Sequence, residues 1–467
     1  MPASIATVVY IFLILALFWL DRNRKASPAL WIPGIWLLLS CSRSVSQWTQ
    51  LGSPLSSSEQ YMEGNPLDRA VYSGLLAIGL IVLGARRRQV WRLLRANGPI
   101  LLFFAYCAFS LLWSDYPDVA FKRWTKAIGD LVMVLIVLTD REPTAAVKHL
   151  LARAGFILIP LSVLITKYYP DLGRYYGTWD YKTYFTGVTT NKNALGVICL
   201  LYGLASAWRF LAAFHSRTKD RIGHMVAHGV ILAMVIWLFW IANSMTSLAC
   251  FLLASTLLLA THIRIVARRP SAVHFLVAAA VGGCVSVLFL GIGNGVLETM
   301  GRNSTLTDRT GIWELVIAMT KNPLVGTGFE SFWLGPRLQK IWSIYSWRPA
   351  EAHNGYIEIF LNLGWIGIVL LAIVIVSGYR TVIASFRRGL PVGNLFLAYF
   401  VVGVVYNFTE AAFFRMMAPA WIFFLMAIMS VPERSTVPLS ARDASPVPMN
   451  PDLVPAGVSH QFDWELQ

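Results

Sequence analysis

Apolar runs of about 15 to 22 residues recur from one end of the chain to the other, separated by short polar segments. Each run is near the length that an α-helix needs to cross a bilayer. The pattern predicts about thirteen membrane-spanning helices, near 5–21, 28–42, 70–85, 98–113, 124–139, 151–168, 192–213, 227–243, 245–263, 272–293, 354–378, 393–410 and 414–431. The predicted fold class is therefore an all-α polytopic membrane protein with about 12–13 transmembrane helices and one large outward loop.

The composition agrees with this pattern. Of the 467 residues 56% are hydrophobic and 13% are charged, with a mean hydropathy of +0.58, whereas soluble domains carry about 25% charged residues. The run from Tyr10 to Leu20 is predicted to be the first span and not a signal peptide, because no small-residue cleavage site follows it. None of the five cysteines forms a C-x-x-C pair, so we expect buried apolar thiols and neither disulfides nor a zinc site.

The net charge of +15 is explained largely by topology. Basic residues gather in short loops between spans, as in Arg22, Arg24 and Lys25; Arg86, Arg87, Arg88, Arg92 and Arg95; Arg217, Lys219 and Arg221; Arg264, Arg268 and Arg269; and Arg380, Arg387 and Arg388. The positive-inside rule places all these loops in the cytoplasm, with the N-terminus outside and the C-terminus inside. Nucleic acid is not an expected partner, because the clusters lie beside spans without a folded module around them.

The spans divide the chain into four predicted parts. Residues 1–293 form the N-terminal transmembrane helices, 294–352 a large periplasmic loop, 353–431 the C-terminal helices, and 432–467 a Pro/Ser-rich, disordered cytoplasmic tail. Loops as long as the second part are usually functional. Within it, T-D-R-T-G-I-W-E-L-V-I-A-M-T predicts a short helix lying on the membrane surface. The stretch G-T-G-F-E-S-F-W then predicts a turn at Gly326 and Gly328.

Outward loops normally avoid Lys and Arg, yet several basic residues occur there, namely Lys122, Arg123 and Lys126; Arg174, Lys182 and Lys192; and Arg302, Arg309, Arg337, Lys340 and Arg348. One interpretation is that these long side chains extend to lipid phosphates. The other is that three basic loops converge on a diphosphate at the outer interface, because the planar fork of arginine binds phosphate oxygens bidentately.

The segment H-N-G-Y-I-E-I-F begins a span at its outer end. On a helix, His353, Tyr356 and Phe360 would share a face while Glu358 points elsewhere. A neutral imidazole is suited to accepting a proton from a hydroxyl nucleophile, although a histidine at a membrane interface can also be purely structural. No metal site is predicted, because the chain has no D-x-D or H-E-x-x-H, and His224 and His228 lack a third ligand.

Six sequence segments together resemble the O-antigen ligase and polymerase superfamily, and within it the ExoQ-type exopolysaccharide polymerases. They are A-L-W-I-P-G-I-W-L-L-L-S-C-S-R (29–43), L-L-W-S-D-Y-P (111–117), K-R-W-T-K (122–126), G-V-T-T-N-K-N-A-L-G (187–196), D-R-T-G-I-W (308–313) and A-H-N-G-Y-I-E-I-F-L-N-L-G-W-I-G (352–367). The last two, in this order and separated by a loop, are the more specific.

The resemblance implies a metal-independent, cofactor-free membrane glycosyltransferase of the GT-C type in the bacterial inner membrane. It would act on oligosaccharides carried by undecaprenyl diphosphate at the periplasmic face. The family's loop histidine falls on His353, as base or organiser of the acceptor hydroxyl, and its loop arginine on Arg309, against the diphosphate. Further substrate contacts are expected from Arg302, Arg123, Lys192, Asn354, Tyr356 and Arg348.

The chain departs from the ligases at one position. Where they commonly show S-R-G, this chain reads N-S-M-T-S, with Met245 at the arginine position. Lys192 or Arg123 would have to serve instead, so the resemblance favours a polymerase acting on a growing polysaccharide over a ligase with another glycan acceptor. Membrane lipids, a chain-length regulator and a flippase are the other partners implied.

A flippase or exporter is the alternative from another class. Such proteins more often carry paired intramembrane charges and internal repeats. This chain offers Asp130 and few others, and no internal repeat.

Overall fold

The computed structural model describes residues 1–21, 27–49, 64–177, 182–289 and 307–429. The helices of the first half are α1 (Ala3–Leu20), α2 (Trp31–Ser40, after a 3-10 turn at Pro28–Leu30), α3 (Val45–Thr49), α4 (Pro66–Ala85), α5 (Arg87–Ala96), α6 (Gly98–Phe109, followed by a 3-10 turn at Ser110–Trp113), α7 (Pro117–Leu138), α8 (Pro143–Tyr168) and α9 (Pro170–Gly173). Those of the second half are α10 (Lys192–His215), α11 (Arg221–Ala242), α12 (Met245–His262), α13 (Arg264–Ala267), α14 (Pro270–Phe289), α15 (Thr307–Ala318), α16 (Gly335–Ile344), α17 (Gly355–Arg387), α18 (Gly393–Tyr406) and α19 (Pro419–Ile428).

The described strands, β1 (Arg174–Tyr176) and β2 (Thr183–Phe185), form one antiparallel hairpin in which Tyr175 pairs with Tyr184. Residues 1–431 make up one unit. The predicted tail, 432–467, lies outside the described residues, and the predicted boundaries at 293 and 352 stay predictions.

The predicted fold class is confirmed: this is a multi-pass, all-α membrane protein. Among the described helices, eight are long and apolar enough to cross a membrane, or nine if α5 and α6, which meet at a 90° bend, form one broken span together with the turn after α6. Three shorter apolar helices, Pro28–Ser40, α18 and α19, lie where further spans were predicted. The remaining predicted span falls on α7, which also carries Lys122, Arg123, Lys126 and Asp130.

The predicted outward loop before residue 124 is helical in part. The span expected near 124–139 belongs to α7, which begins at Pro117. Lys122, Arg123 and Lys126 therefore lie on the first turns of a helix and not in a loop. Proline at the first helical position and Asp118 in the first turn explain the earlier start, because both favour a helix N-terminus.

Burial separates the interior of the bundle from its lipid-facing rim. Helices α8 and α10 are largely buried, whereas few residues of α1 and α14 are buried. Phe12, Trp19 and Phe275 are between 66% and 72% exposed. Apolar surface this extensive is rare on soluble monomers and is what lipid chains cover.

The described part of the predicted outward loop contributes to a separate, small hydrophobic core. Its fully buried members come from α15, α16, the start of α17 and the segments between these helices, namely Ile312, Val316, Phe332, Leu338, Ile341, Ala352 and Leu361. The predicted loop helix is thus present as α15. Its residues Ile312 and Val316 pack into this core, so that part of its apolar face is not available to a membrane surface.

Backbone hydrogen bonds connect this loop to α17 at a break in that helix. Gly364 has a φ of 63° inside α17, and Trp365 beyond it donates its backbone N–H to the carbonyl of Pro323 at 2.9 Å. A Cβ on Gly364 would lie 2.3 Å from the backbone of Leu324, so only glycine fits here. The predicted turn at Gly326 and Gly328 is present, with positive φ at both residues.

Candidate active site

His353 lies just before α17 and not on it. Its φ is 50°, and Asn354 caps the helix by accepting hydrogen bonds at Oδ1 from the N–H groups of Tyr356 and Ile357. The predicted helical face shared by His353, Tyr356 and Phe360 was therefore wrong, because asparagine is a preferred N-cap and the helix begins one residue after it.

The His353 ring faces two carboxylates. Its Nδ1 lies 3.1 Å from Oε2 of Glu410 and 3.1 Å from Oε1 of Glu351. The Glu410 side chain is 8% exposed and that of His353 is 20% exposed, so this contact is screened from bulk water. The Trp347 ring is tilted by 34° to the imidazole, with 5.9 Å between the ring centroids, and covers part of it.

Each of these carboxylates also contacts an arginine. Arg309, on α15, donates to the carbonyl of Thr409 and lies 3.4 Å from Oε1 of Glu410 through Nη2. Arg415 donates from Nη1 to Oε2 of Glu351. The result is a continuous chain, Arg309–Glu410–His353–Glu351–Arg415, which we call the ion-pair chain. It joins α15, the segment before α17 and the segment between α18 and α19.

The segment that carries Glu410 is held by amide side chains. Asn407 accepts hydrogen bonds at Oδ1 from the N–H groups of Ala412 and Phe413, at 2.8 and 2.9 Å. Asn354 donates from Nδ2 to the carbonyl of Phe408 at 3.1 Å. The N–H of Gly355 donates to the carbonyl of Asn407 at 2.8 Å. These bonds fix Glu410 relative to His353, because both sides of the contact are tied to the start of α17.

A cavity of about 490 Å³ opens beside the ion-pair chain. Its charged lining is mostly basic, with Arg69, Lys122, Arg123, Lys126 and Arg415 against Glu330 and Glu358, and its aromatic lining includes Trp36, Tyr72, Phe329, Trp333, Phe413 and Phe414. We call it the cationic cavity. Its combination of apolar walls and converging cations suits an amphipathic anion.

A second cavity, of about 200 Å³, adjoins the other side of Arg415. Its lining combines apolar residues with the uncharged polar residues Ser40, Ser42, Thr189, Asn191 and Asn193 and with the charged residues Glu351, Glu410 and Arg415. Arg43 stabilises the wall of this cavity by donating hydrogen bonds to the carbonyls of Thr189 and Leu172. Burial lowers the pKa of Arg43, but arginine starts from a pKa above about 12 and stays charged.

The predicted substrate-binding residues are spread around these features. Arg123 lines the cationic cavity, where its Nη1 lies 3.7 Å from Oε2 of Glu330. Lys192 begins α10 with its Nζ 4.8 Å from the centre of the Tyr184 ring, and Arg348 lies 5.5 Å from the centre of the Trp342 ring. Arg302 lies outside the described residues. Substrate contact by any of them stays a prediction.

Asn354 and Tyr356 have structural partners. Asn354 caps α17 and is only 4% exposed. The hydroxyl of Tyr356 donates to the carbonyl of Val404 at 3.0 Å. Glu358, which was predicted to point away from the face of His353 and Tyr356, accepts hydrogen bonds from the indole of Trp333 at 2.9 Å and from the N–H of Ala352, and it also lines the cationic cavity. These contacts hold the loop core against α17.

The sequence reasoning missed Glu351, Glu410 and Arg415. Glu410 and Arg415 occur in N-F-T-E-A-A-F-F-R, a charged interruption between two apolar runs. Charges at membrane depth are costly and are commonly functional, and that signal could have singled them out. Asp130 is also buried, but it accepts hydrogen bonds from the Trp36 indole at 2.7 Å and from the Met417 N–H at 3.0 Å, which tie the 411–418 segment to α2 and α7.

The ion-pair chain has one property that the sequence did not predict. Glu351, His353 and Glu410 each offer a ligand atom, and these atoms lie within 4.8 Å of one another, close enough to hold a metal ion. The opposite carboxylate oxygens are taken by Arg415 and Arg309. A divalent cation would therefore lie next to two guanidinium groups, whose repulsion opposes its binding.

Comparison with known proteins gives two matches. Residues 193–372, which include Arg309 and His353, match the family model described as O-Antigen ligase. Over 310 residues, 64% of the chain, the sequence is 26% identical to the exopolysaccharide production protein ExoQ of Rhizobium meliloti, and the match spans 66% of that protein. The resemblance to the O-antigen ligase and polymerase superfamily, and within it to ExoQ, is thereby confirmed.

Proposed function

We propose that this protein is an inner-membrane polysaccharide polymerase. It transfers undecaprenyl-diphosphate-linked oligosaccharide units to a growing exopolysaccharide at the periplasmic face. The observation that carries the proposal is the ion-pair chain, which joins His353 to Arg309 through Glu410 beside a cationic cavity. A proton acceptor and an anion site lie next to each other there, as glycosyl transfer from a diphosphate requires.

His353 acts on the acceptor. When Nδ1–H is donated to Glu410 or Glu351, neutral imidazole has its lone pair on Nε2, and that atom can take the proton of an attacking sugar hydroxyl. The carboxylates hold the tautomer and the ring orientation and stabilise the imidazolium that forms, the role that an aspartate has beside a catalytic histidine in serine hydrolases.

The cations act on the leaving group. As the bond between the anomeric carbon and the diphosphate oxygen breaks, negative charge grows on the diphosphate, and fixed cations in a low-dielectric cavity stabilise it. Arg123, Lys126 and Arg415 line the cationic cavity, and Arg309 is joined to His353 through Glu410 in the ion-pair chain. Arg415, which donates to Glu351 in the ion-pair chain, takes the role of the arginine absent at Met245, for which Lys192 and Arg123 were the predicted candidates.

The proposed reaction needs no metal. The charge that a divalent ion would bring to the diphosphate is available from the arginines and lysines of the cationic cavity. The metal-like arrangement of Glu351, His353 and Glu410 is used for proton transfer instead, with its outer oxygens balanced by Arg309 and Arg415.

The description of ExoQ as an exopolysaccharide production protein supports the polymerase. A ligase would use the same chemistry with another acceptor, such as a lipid A-core, and the family description supports that alternative. The buried carboxylate Asp130 is bound to Trp36 and Met417, so it does not favour a flippase or exporter.

Reconstitution tests the proposal directly. The purified full chain in nanodiscs, supplied with a synthetic undecaprenyl-diphosphate-linked repeat unit, should yield longer lipid-linked glycans and free undecaprenyl diphosphate. His353→Ala should yield neither, while His215→Ala, which alters an exposed histidine at the far end of α10, should match the wild type. Product that forms only when a lipid A-core acceptor is added would identify a ligase, and absence of product with both acceptors would refute glycosyl transfer.

A further inference from the structure

A second charged cavity lies apart from the ion-pair chain. It has a volume of about 860 Å³ and is lined by residues of the loop before α2, the α4–α5 junction and the α7–α8 turn. Its charged lining consists of five arginines and one carboxylate, namely Arg86, Arg87, Arg88, Arg92, Arg141 and Asp140. We call it the basic pocket. The positive-inside rule assigns this side of the protein to the cytoplasm.

The single carboxylate of the basic pocket is already neutralised. The side chain of Asp140 is 1% exposed, and its Oδ2 lies 3.2 Å from Nη2 of Arg86. Nη1 of Arg86 donates to the carbonyl of Ile136 at 2.9 Å. These bonds fix the Arg86 side chain between α4 and α7, at the base of the pocket. Arg87, Arg88, Arg92 and Arg141 are exposed and have no acidic partner among the described residues. Within the part of the chain that the structure describes, these four positive charges therefore have no counterion.

Helix α5 gives the basic pocket its orientation. It meets α6 at 90°, so if α6 crosses the bilayer, α5 lies along the surface. Leu93, at 1% exposure, faces the protein. Arg88 and Arg92 are one turn apart on the other face, and Trp91 and Arg95 lie beside them by the same helical spacing. Trp91 is 57% exposed, with the Arg95 guanidinium 4.7 Å from its ring centre.

We propose that the basic pocket binds the phosphate groups of an anionic phospholipid headgroup in the cytoplasmic leaflet. Guanidinium groups bind phosphate oxygens bidentately, and basic pockets between transmembrane helices on this side suit lipids such as cardiolipin. The exposed Trp91 favours lipid over a soluble phosphate as the source, because tryptophan concentrates at the membrane–water interface. The site is independent of the ion-pair chain and of the proposed function.

The test uses the purified full chain in detergent, with native mass spectrometry to count bound lipids. The probes are cardiolipin, phosphatidylcholine and inorganic diphosphate. The pocket variant carries Arg88→Gln, Arg92→Gln and Arg141→Gln. The control variant removes the same charge from exposed residues on the same predicted side, through Arg217→Gln, Lys219→Gln and Arg387→Gln. A second pocket variant, Arg141→Gln alone, leaves α5 untouched, and melting temperatures check that every variant is folded.

Wild type and control should retain cardiolipin in preference to phosphatidylcholine. Affinity should fall roughly fivefold for each pocket arginine removed, which corresponds to ~1 kcal/mol per basic residue near an anionic surface. Equal retention by the pocket variants and the wild type would overturn the proposal. An equal loss in the control variant would also overturn it, because the attraction would then be to surface charge in general. Inorganic diphosphate that binds alone and displaces cardiolipin would overturn the lipid assignment in favour of a soluble phosphate.

Discussion

Glu410 places one carboxylate oxygen 3.1 Å from Nδ1 of His353 and the other 3.4 Å from Nη2 of Arg309. The histidine and arginine that the sequence segments singled out are thus linked through a single buried residue from a distant part of the chain. This residue adds a testable element to the proposed chemistry, because it can set the tautomer of the imidazole and the position of the guanidinium at once.

The first prediction concerns Glu410. Glu410→Gln preserves the size of the side chain but removes its charge, and its amide can donate to Nδ1 and so favour the wrong tautomer. We expect turnover to fall by between about 10- and 10⁴-fold, the upper value being that of the corresponding change in a serine protease. KM should change less than kcat. Turnover of purified Glu410→Gln within twofold of the wild type would remove Glu410 from the mechanism.

Arg309 is predicted to contribute through its planar fork. Arg309→Lys keeps the charge but cannot form paired hydrogen bonds, so we expect kcat/KM to fall by an amount equivalent to about 1.5–3 kcal/mol. Arg337→Lys is the matched control, since Arg337 lies in the same loop but pairs with Asp115. Near-normal activity of Arg309→Ala at wild-type abundance would place Arg309 outside the site.

The sequence revealed the fold better than the site. Apolar runs identified the helices because the bilayer requires both length and apolar character. Motifs located Arg309 and His353, but Glu410 and Arg415 belong to no local pattern, and their partners are about 60 to 100 residues away in the chain. The shared face of His353 and Tyr356 was wrong because one capping residue, Asn354, decides where α17 begins.

Metal independence is the third prediction. Glu351, His353 and Glu410 could hold an ion, so this test bears on how the ion-pair chain works. The purified protein should keep its activity in excess EDTA, because Arg309 and Arg415 already balance both carboxylates. Loss of activity that magnesium or manganese restores would instead make the ion-pair chain a metal centre.

Topology is the fourth prediction, and it places the ion-pair chain on the outer side. A reporter fused near residue 320, after α15, should read as periplasmic, and one fused after residue 440 as cytoplasmic, because the Lys/Arg-rich short loops are predicted to be cytoplasmic. If the fusion at 320 reads as cytoplasmic, the site faces the wrong compartment for lipid-linked periplasmic substrates.

The central claim is that His353 performs chemistry and that the protein is not a transporter. His353→Ala should insert and accumulate normally, since its side chain precedes α17 and is 20% exposed. Loss of a general base costs about 10²- to 10⁴-fold in rate, so polymer should almost vanish while single lipid-linked repeat units accumulate.

The decisive measurement is which leaflet holds those units in His353→Ala cells. Our account predicts the periplasmic leaflet, because export is intact and only their joining is blocked. Units trapped in the cytoplasmic leaflet, or full-length polymer from the stably expressed variant, would contradict it.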